Sequence, residues 1–278
     1  MEKILLAIDA MKPDIKSLDF ACYLANLTHS KITGIFLENL VSVENPEKIF
    51  PEMRSGQIVT ADNYSVIEQK ETCCEENINR FNEACGKRGV KHTIHRDRGV
   101  PAEEMIEESR FADMIIIDAE TSFTKRYEGA PTKFVKEVLE NAECPVIISP
   151  VDFNGINEIV FTYDGSRSSA FAIKQFTYLL PELKDKKITI LQVNKENNKI
   201  IREKYKLKEW LKGHYSNIGF TLLEGDPKFE LFTYLLNKRN IFVVMGAYGR
   251  NLLSHFFNRS HAELVVMVID KPVFIAHY

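Results

Sequence analysis

The sequence predicts an α/β protein with two tandem, open, mostly parallel five-stranded sheets that carry helices on both faces. Two observations lead to this prediction: short, continuous apolar runs alternate with helical segments, and the whole order occurs twice. The apolar runs, such as Lys3–Asp9 and residues 241–245, are typical of parallel strands that are buried on both faces. With 278 residues, the chain is long enough for two ordinary domains.

The first elements of the two copies correspond. Lys3–Asp9 predicts a strand, and a loop and a helix over residues 15–27 follow it. In the second copy, residues 159–164 predict the strand and residues 168–180 predict the helix. The next strands are predicted at residues 32–37 and 188–193.

The later elements match more closely. A turn that ends in proline, Gly99-Val100-Pro101 or Gly225-Asp226-Pro227, opens a helix in each copy. A proline at the first helical position costs no hydrogen bond. Each helix leads to an apolar strand, and after a further helix each copy closes with a short strand, predicted at Val146–Ile148 and at residues 273–275.

Residues 150–155 interrupt this pattern with proline, asparagine and glycine. The sequence therefore predicts a first domain over residues 1–152 and a second over residues 156–278. The first domain is longer because of an insertion around residues 41–67, which runs into a polar helix predicted near residues 64–87. No chemistry is assigned to this insertion.

Composition and charge exclude several classes of protein. The formal net charge is −3, whereas a dedicated nucleic-acid binder normally carries a basic surplus. The sequence has no apolar run near the ~18 residues of a membrane span, so we expect a cytoplasmic protein without membrane contact. The five cysteines lack the spacing of a disulfide framework or a metal site.

A lysine-rich segment over residues 195–212 has two interpretations. Apolar residues at helical spacing could mark an amphipathic helix that binds membranes or anions; they are Ile200, Leu207, Trp210 and Leu211. We favour a crossover helix with its apolar stripe toward the core and its lysines in solvent.

A glycine loop follows the strand predicted at residues 241–245. Gly246 and Gly249 let the backbone turn sharply and approach an anion, and Arg250 comes directly after them. Nine residues separate Gly249 from Arg259-Ser260, and a helix is predicted from His261. A helix N-terminus offers free N–H groups, so the segment predicts a phosphate cradle at the carboxyl edge of the sheet, where ligands bind in open α/β folds.

This loop, within this order of elements, resembles the universal stress protein family, whose nucleotide-binding members carry G-x-x-G, nine residues and G-[ST]. Gly246, Gly249 and Ser260 match that motif, and the resemblance extends to Asp164-Gly165-Ser166 and the Gly-Asp-Pro turn. It covers essentially the whole chain as two copies. The resemblance implies a Rossmann-like fold, similar to the adenine-nucleotide alpha-hydrolases.

The resemblance also implies a ligand and residue roles. The ligand is ATP or a related adenine nucleotide, which Mg²⁺ can accompany. Asp164 corresponds to the aspartate that contacts adenine, and a carboxylate suits this role because it accepts hydrogen bonds. Val193 corresponds to the valine whose backbone reads the adenine edge. The positions around ribose and phosphates are Gly246, Gly249, Ser260 and the His261 amide.

Arg259 departs from the family pattern because it replaces the third glycine. If the position needs a positive φ, arginine is costly there; if it does not, the guanidinium can add a forked phosphate contact. A purely structural interpretation also stays open. Ser260 and Glu263 form a capping box, Asp164 can start a turn, and the two glycines can serve a tight loop.

The first copy lacks the cradle. Asp9 is retained, but Asp118-Ala119-Glu120-Thr121 replaces the first two glycines, and Thr132-Lys133 lies opposite Arg259-Ser260. Because Asp118 and Glu120 would repel a phosphate, we predict no nucleotide binding of the family type here. We expect the nearby cations to pair with Glu120 and Glu128 on the surface; they are Lys125, Arg126 and Lys133.

No convincing catalytic set is present in the sequence. It has neither a P-loop nor a G-x-S-x-G elbow, so we do not expect an enzyme. Three hypotheses remain: a nucleotide-binding regulatory module of a stress response, a slow ATP hydrolase, and a scaffold that works through protein contacts. Family members commonly pair through their last strands, so the resemblance implies an intramolecular pseudo-dimer, which could dimerise again.

Overall fold

The computed structural model describes residues 1–13, 15–39, 61–124, 126–194, 200–246 and 270–277. The strands are β1 (Lys3–Asp9), β2 (Lys31–Asn39), β3 (His92–Gly99), β4 (Met114–Ile117), β5 (Val146–Ile148), β6 (Glu158–Thr162), β7 (Lys187–Asn194), β8 (Ile218–Glu224), β9 (Ile241–Gly246) and β10 (Val273–Ala276). The helices are α1 (Ile15–Thr28), α2 (Ala61–Lys87), α3 (Pro101–Ser109), α4 (Lys133–Asn141), α5 (Arg167–Leu179), α6 (Lys204–Lys212) and α7 (Pro227–Leu236). Residues 40–60, which hold most of the insertion, lie outside the described residues.

The ten strands form one continuous sheet in the order β3-β2-β1-β4-β5-β10-β9-β6-β7-β8. All pairs within each copy are parallel, as the continuous apolar runs predict. In each copy the second and third strands lie on one side of the first strand, and the fourth and fifth strands lie on its other side. The order therefore reverses between β1 and β4 and again between β6 and β9.

The two copies meet at an antiparallel seam. β10 pairs with β5, and the register places Phe274 opposite Ile147. The family resemblance implies such a pairing of closing strands, which here joins the two five-stranded sheets edge to edge. Both closing strands are fully buried, so the seam covers two strand edges that would otherwise be open to association.

Helices cover both faces of the sheet, as predicted. On one face, α1, α2, α5 and α6 pack on a core that includes Phe20, Phe36, Phe176 and Phe274. On the other face, α3, α4 and α7 pack on a second core that includes Val138. No helix among the described residues is long and apolar enough to cross a membrane.

The lysine-rich segment contributes α6, which is a crossover helix. Leu211 is buried, and Leu207 and Trp210 pack against the first core, whereas Lys204 and Lys208 are exposed. These three residues thus face inward, as expected, whereas Ile200, which the sequence also assigns to the apolar stripe, lies before α6 and is 72% exposed. The domain boundary at residues 152–156 stays a prediction.

Candidate functional site

The second copy places its candidate residues at a topological switch point. Asp164 follows β6, Gly246 ends β9, and Val193 lies near the end of β7. These three strands are neighbours in the order β9-β6-β7 and are mutually parallel, so their carboxyl ends share one edge. Ligands of open α/β sheets bind in the crevice where the strand order reverses, which here lies between β6 and β9.

Asp164 organises the turn that leads into α5. Its Oδ1 accepts hydrogen bonds from the Ser166 backbone N–H at 2.9 Å and from the Ser169 hydroxyl at 2.8 Å. Ser166 is the N-cap of α5, because its Oγ accepts the Ser169 backbone N–H at 3.1 Å. The carboxylate is therefore held in one orientation by its own turn, and this role needs no ligand.

Gly246 allows two backbone segments to come close together. A Cβ at this position would lie 2.4 Å from the Ser168 carbonyl carbon and 2.5 Å from the Ser169 nitrogen. Real Cβ atoms essentially never approach backbone atoms so closely, so a side chain would displace the start of α5. The glycine that the sequence assigns to a phosphate cradle thus also has a packing role.

Gly165 and Gly225 shape the rim of the same crevice. Gly165 adopts φ +79°, and the Arg202 side chain packs directly over it. Gly225 adopts φ +143°, and its N–H donates to the Asn194 carbonyl at 2.9 Å, which ties the Gly-Asp-Pro turn to the end of β7. Residues other than glycine rarely adopt such φ angles.

Three of the eight predicted binding residues are thus brought to one edge: Asp164, Val193 and Gly246. The other five lie outside the described residues; they are Gly249, Arg250, Arg259, Ser260 and His261. Sequence reasoning did not single out Ser169 or Arg202. The signal for Ser169 was the S-x-x-S spacing from the N-cap Ser166, whereas nothing in the sequence places Arg202 over Gly165.

The first copy has a related turn with different chemistry. Asp9 Oδ1 accepts the Met11 backbone N–H at 2.9 Å, and burial raises the pKa of this carboxyl. After β4, Asp118 Oδ1 accepts the Glu120 backbone N–H at 2.7 Å. Two carboxylates therefore flank the switch point between β1 and β4, where the second copy has Asp164 and Gly246.

The loop after β4 is fixed to the start of α4. Thr132 is the N-cap of α4, its hydroxyl donates to the Thr121 carbonyl, and its N–H donates to the Ala119 carbonyl at 3.1 Å. One sequence prediction is wrong here. Lys133 pairs with Glu137, one helical turn along α4, at 3.5 Å rather than with Glu120 or Glu128.

Comparison with known proteins supports the fold. The chain matches no protein-family profile and no curated protein sequence. It is similar to the structure of a universal stress protein from Archaeoglobus fulgidus, with TM-score 0.70 and 16% identity over 99% of this chain and 98% of that chain. It is also similar to a putative universal stress protein from Pseudomonas aeruginosa, with TM-score 0.58 and 12% identity over 100% and 93% of the two chains. The chain therefore shares the fold of these structures over essentially all of the two copies.

Proposed function

We propose that this chain, which shares the fold of universal stress proteins, is a regulatory module of a stress response that binds ATP or a related adenine nucleotide in its second copy. The observation that carries the proposal is the meeting of Asp164, Val193 and Gly246 at the switch point between β6 and β9. In this proposal Asp164 and the Val193 backbone contact adenine. The phosphates, with any accompanying Mg²⁺, lie near Gly249, Arg250, Arg259, Ser260 and His261.

The charge of the two copies supports this choice of site. Residues 153–278 carry 18 Lys and Arg against 12 Asp and Glu, whereas residues 1–152 carry 18 against 27. An anionic nucleotide is therefore attracted to the second copy and repelled by the first. The acids that flank the first switch point, Asp9 and Asp118, act in the same direction at short range.

The test is direct detection of a ligand. Mass spectrometry of small molecules released from the purified full chain should find an adenine nucleotide, and added ATP should raise the thermal midpoint, because a ligand that binds the folded state stabilises it. Asp164→Asn keeps the Oδ1 acceptor for the turn and removes the charge. It should weaken nucleotide binding, whereas the matched variant Asp9→Asn in the first copy should not.

A scaffold function is the second candidate, because both Asp164 and Gly246 already have structural roles. An unchanged thermal midpoint at millimolar ATP, together with no copurified nucleotide, would favour the scaffold and contradict the proposed function. Steady ADP production that disappears in Gly249→Asp would instead favour slow hydrolysis.

A further inference from the structure

Two cysteines from different helices lie together in the first copy. Cys22 lies in α1 and Cys85 in the last turn of α2, and both are fully buried in the core that includes Phe20. A hydrogen bond between their thiols lowers the pKa of Cys22 and raises the pKa of Cys85. The two sulfur atoms are therefore neighbours, although the cysteines are far apart in the sequence.

Arg88, directly after α2, ties the same parts of the two helices together at the surface. Its guanidinium pairs with Asp19, and its carbonyl accepts a hydrogen bond from the Asn26 amide at 3.2 Å. Asp19, Cys22 and Asn26 lie on one face of α1, because residues three and four apart are neighbours on a helix surface. The Arg88 N–H donates to the Cys85 carbonyl at 3.1 Å. These contacts bring Cys22 and Cys85 to the same point of the helix pair, independently of the thiol hydrogen bond.

The thiol pair lies next to an exposed end of a helix. Residues 86–89, directly after Cys85, are exposed. The side chains of Asp19 and Arg88, which join the helices here, are 53% and 37% exposed. Helix ends open more readily than helix centres, so a small oxidant reaches the sulfur atoms when only the last turn of α2 opens.

We propose that Cys22 and Cys85 form a redox-sensitive pair, which hydrogen peroxide converts into a reversible disulfide between α1 and α2. The Cys22 thiolate attacks a peroxide oxygen and the O–O bond breaks, which yields Cys22 sulfenic acid and a hydroxide that is protonated to water. The Cys85 sulfur then attacks the Cys22 sulfur, and the S–O bond breaks. The leaving hydroxide takes the Cys85 proton and becomes a second water. The two thiols thus lose two electrons and two protons, and the peroxide is reduced.

The bond would act on a helix that contacts the first switch point. In α2, the Asn77 amide donates to the Ala10 carbonyl at 2.9 Å, and Ala10 directly follows β1. A disulfide at the end of α2 would therefore restrict the helix that contacts the carboxyl end of β1. A disulfide that forms with an oxidant and is broken by thiols is typical of redox sensing. The proposal is independent of nucleotide binding in the second copy.

Mass spectrometry of the folded full chain after treatment with hydrogen peroxide tests the proposal. The intact mass should fall by two hydrogen atoms, and dithiothreitol should restore it. A peptide map without reduction should contain a cross-link between Cys22 and Cys85. The absence of a cross-link, or a cross-link between other cysteines, would overturn the proposal.

Single cysteine variants give the matched comparison. Cys22→Ala and Cys85→Ala should not lose the two hydrogen atoms. Cys144→Ala changes a cysteine in the core on the opposite face of the sheet and should lose them as the wild type does. Loss of the two hydrogen atoms in Cys22→Ala or Cys85→Ala would contradict the assignment. If either variant does not fold, the wild-type peptide map alone decides.

Asp19→Asn tests the access route. It removes the ion pair with Arg88 and also a charge that raises the pKa of Cys22, so the cross-link should form about two- to fivefold faster. Glu83→Gln is the control, because it removes the ion pair with Lys87 inside α2, at 3.4 Å, and should leave the rate unchanged. Equal rates for the two variants would contradict access through the last turn of α2.

Discussion

Glycine at position 246 is explained by contact between two backbone segments. The end of β9 approaches the first turn of α5 so closely that an added Cβ would lie 2.4–2.6 Å from the backbone atoms of Ser168 and Ser169. The same turn holds Asp164 through the hydroxyl of Ser169. Packing and the candidate adenine contact therefore depend on one local geometry.

Replacing Gly246 tests this packing role. Gly246→Ala should destabilise the ligand-free protein by about 1–3 kcal/mol, because the clashing atoms belong to the backbone and cannot rotate away. Urea denaturation measures the change. Gly86→Ala is the matched control, since a Cβ there meets nothing within 4 Å and alanine favours a helix; it should be neutral or stabilising. Equal stability of Gly246→Ala and wild type would contradict the packing role.

Among the elements, the seam between β5 and β10 joins the two copies. Phe274 of β10 is fully buried, lies opposite Ile147 of β5, and makes an edge-to-face contact with Phe176 of α5 at 5.3 Å between ring centroids. It thus connects the closing strand of the first copy with a helix of the second. We expect the seam to unfold together with both copies.

Truncation of Phe274 measures the strength of the seam. Phe274→Ala should lower the free energy of unfolding by about 3–5 kcal/mol through lost burial and the cavity left behind. Phe111→Ala removes a ring that is 77% exposed and should change stability by less than about 0.5 kcal/mol. A loss below about 1 kcal/mol for Phe274→Ala would show that the seam contributes little.

The element boundaries show what the sequence can predict. Apolar runs locate the strands, but β2 and β7 extend past them to Asn39 and Asn194, because backbone pairing with β3 and β8 does not require apolar side chains. β6 ends earlier than predicted, at Thr162, since Asp164 already belongs to a turn.

The candidate site is predicted in part. The switch point follows from the strand order, so sequence reasoning places Asp164 and Gly246 together. Individual side-chain partners do not follow in the same way. Lys133 pairs with Glu137 on its own helix, which the i,i+4 spacing favours, and the packing of Arg202 on Gly165 depends on a long-range approach that no local pattern encodes.

For the whole molecule, charge is distributed unevenly along the chain. The first 152 residues have nine more acidic than basic residues, and the remainder has six more basic than acidic residues. Salt screens the electrostatic field of these charges over about 8–10 Å at physiological ionic strength. Long-range attraction of an anion to the second copy should therefore depend on the salt concentration.

This gives a prediction for the site proposed in the second copy. ATP affinity should fall as NaCl rises from about 50 to about 500 mM, because salt screens the attraction between the anionic nucleotide and the basic second copy. Titration calorimetry at several salt concentrations measures the ATP affinity. A salt-independent ATP affinity would argue against attraction by the basic copy.

The antiparallel seam has a geometric consequence for the two switch points. Strands β1 to β5 run one way and β6 to β10 run the other way, so the two crevices open on opposite edges of a single sheet. Molecules bound in the two crevices cannot contact each other, and a protein that binds at one edge of the sheet can contact only one crevice. A receptor that responds to ligands in both crevices would have to contact the molecule on two sides. Otherwise it would have to detect a conformational change transmitted through the four central strands, β4, β5, β10 and β9.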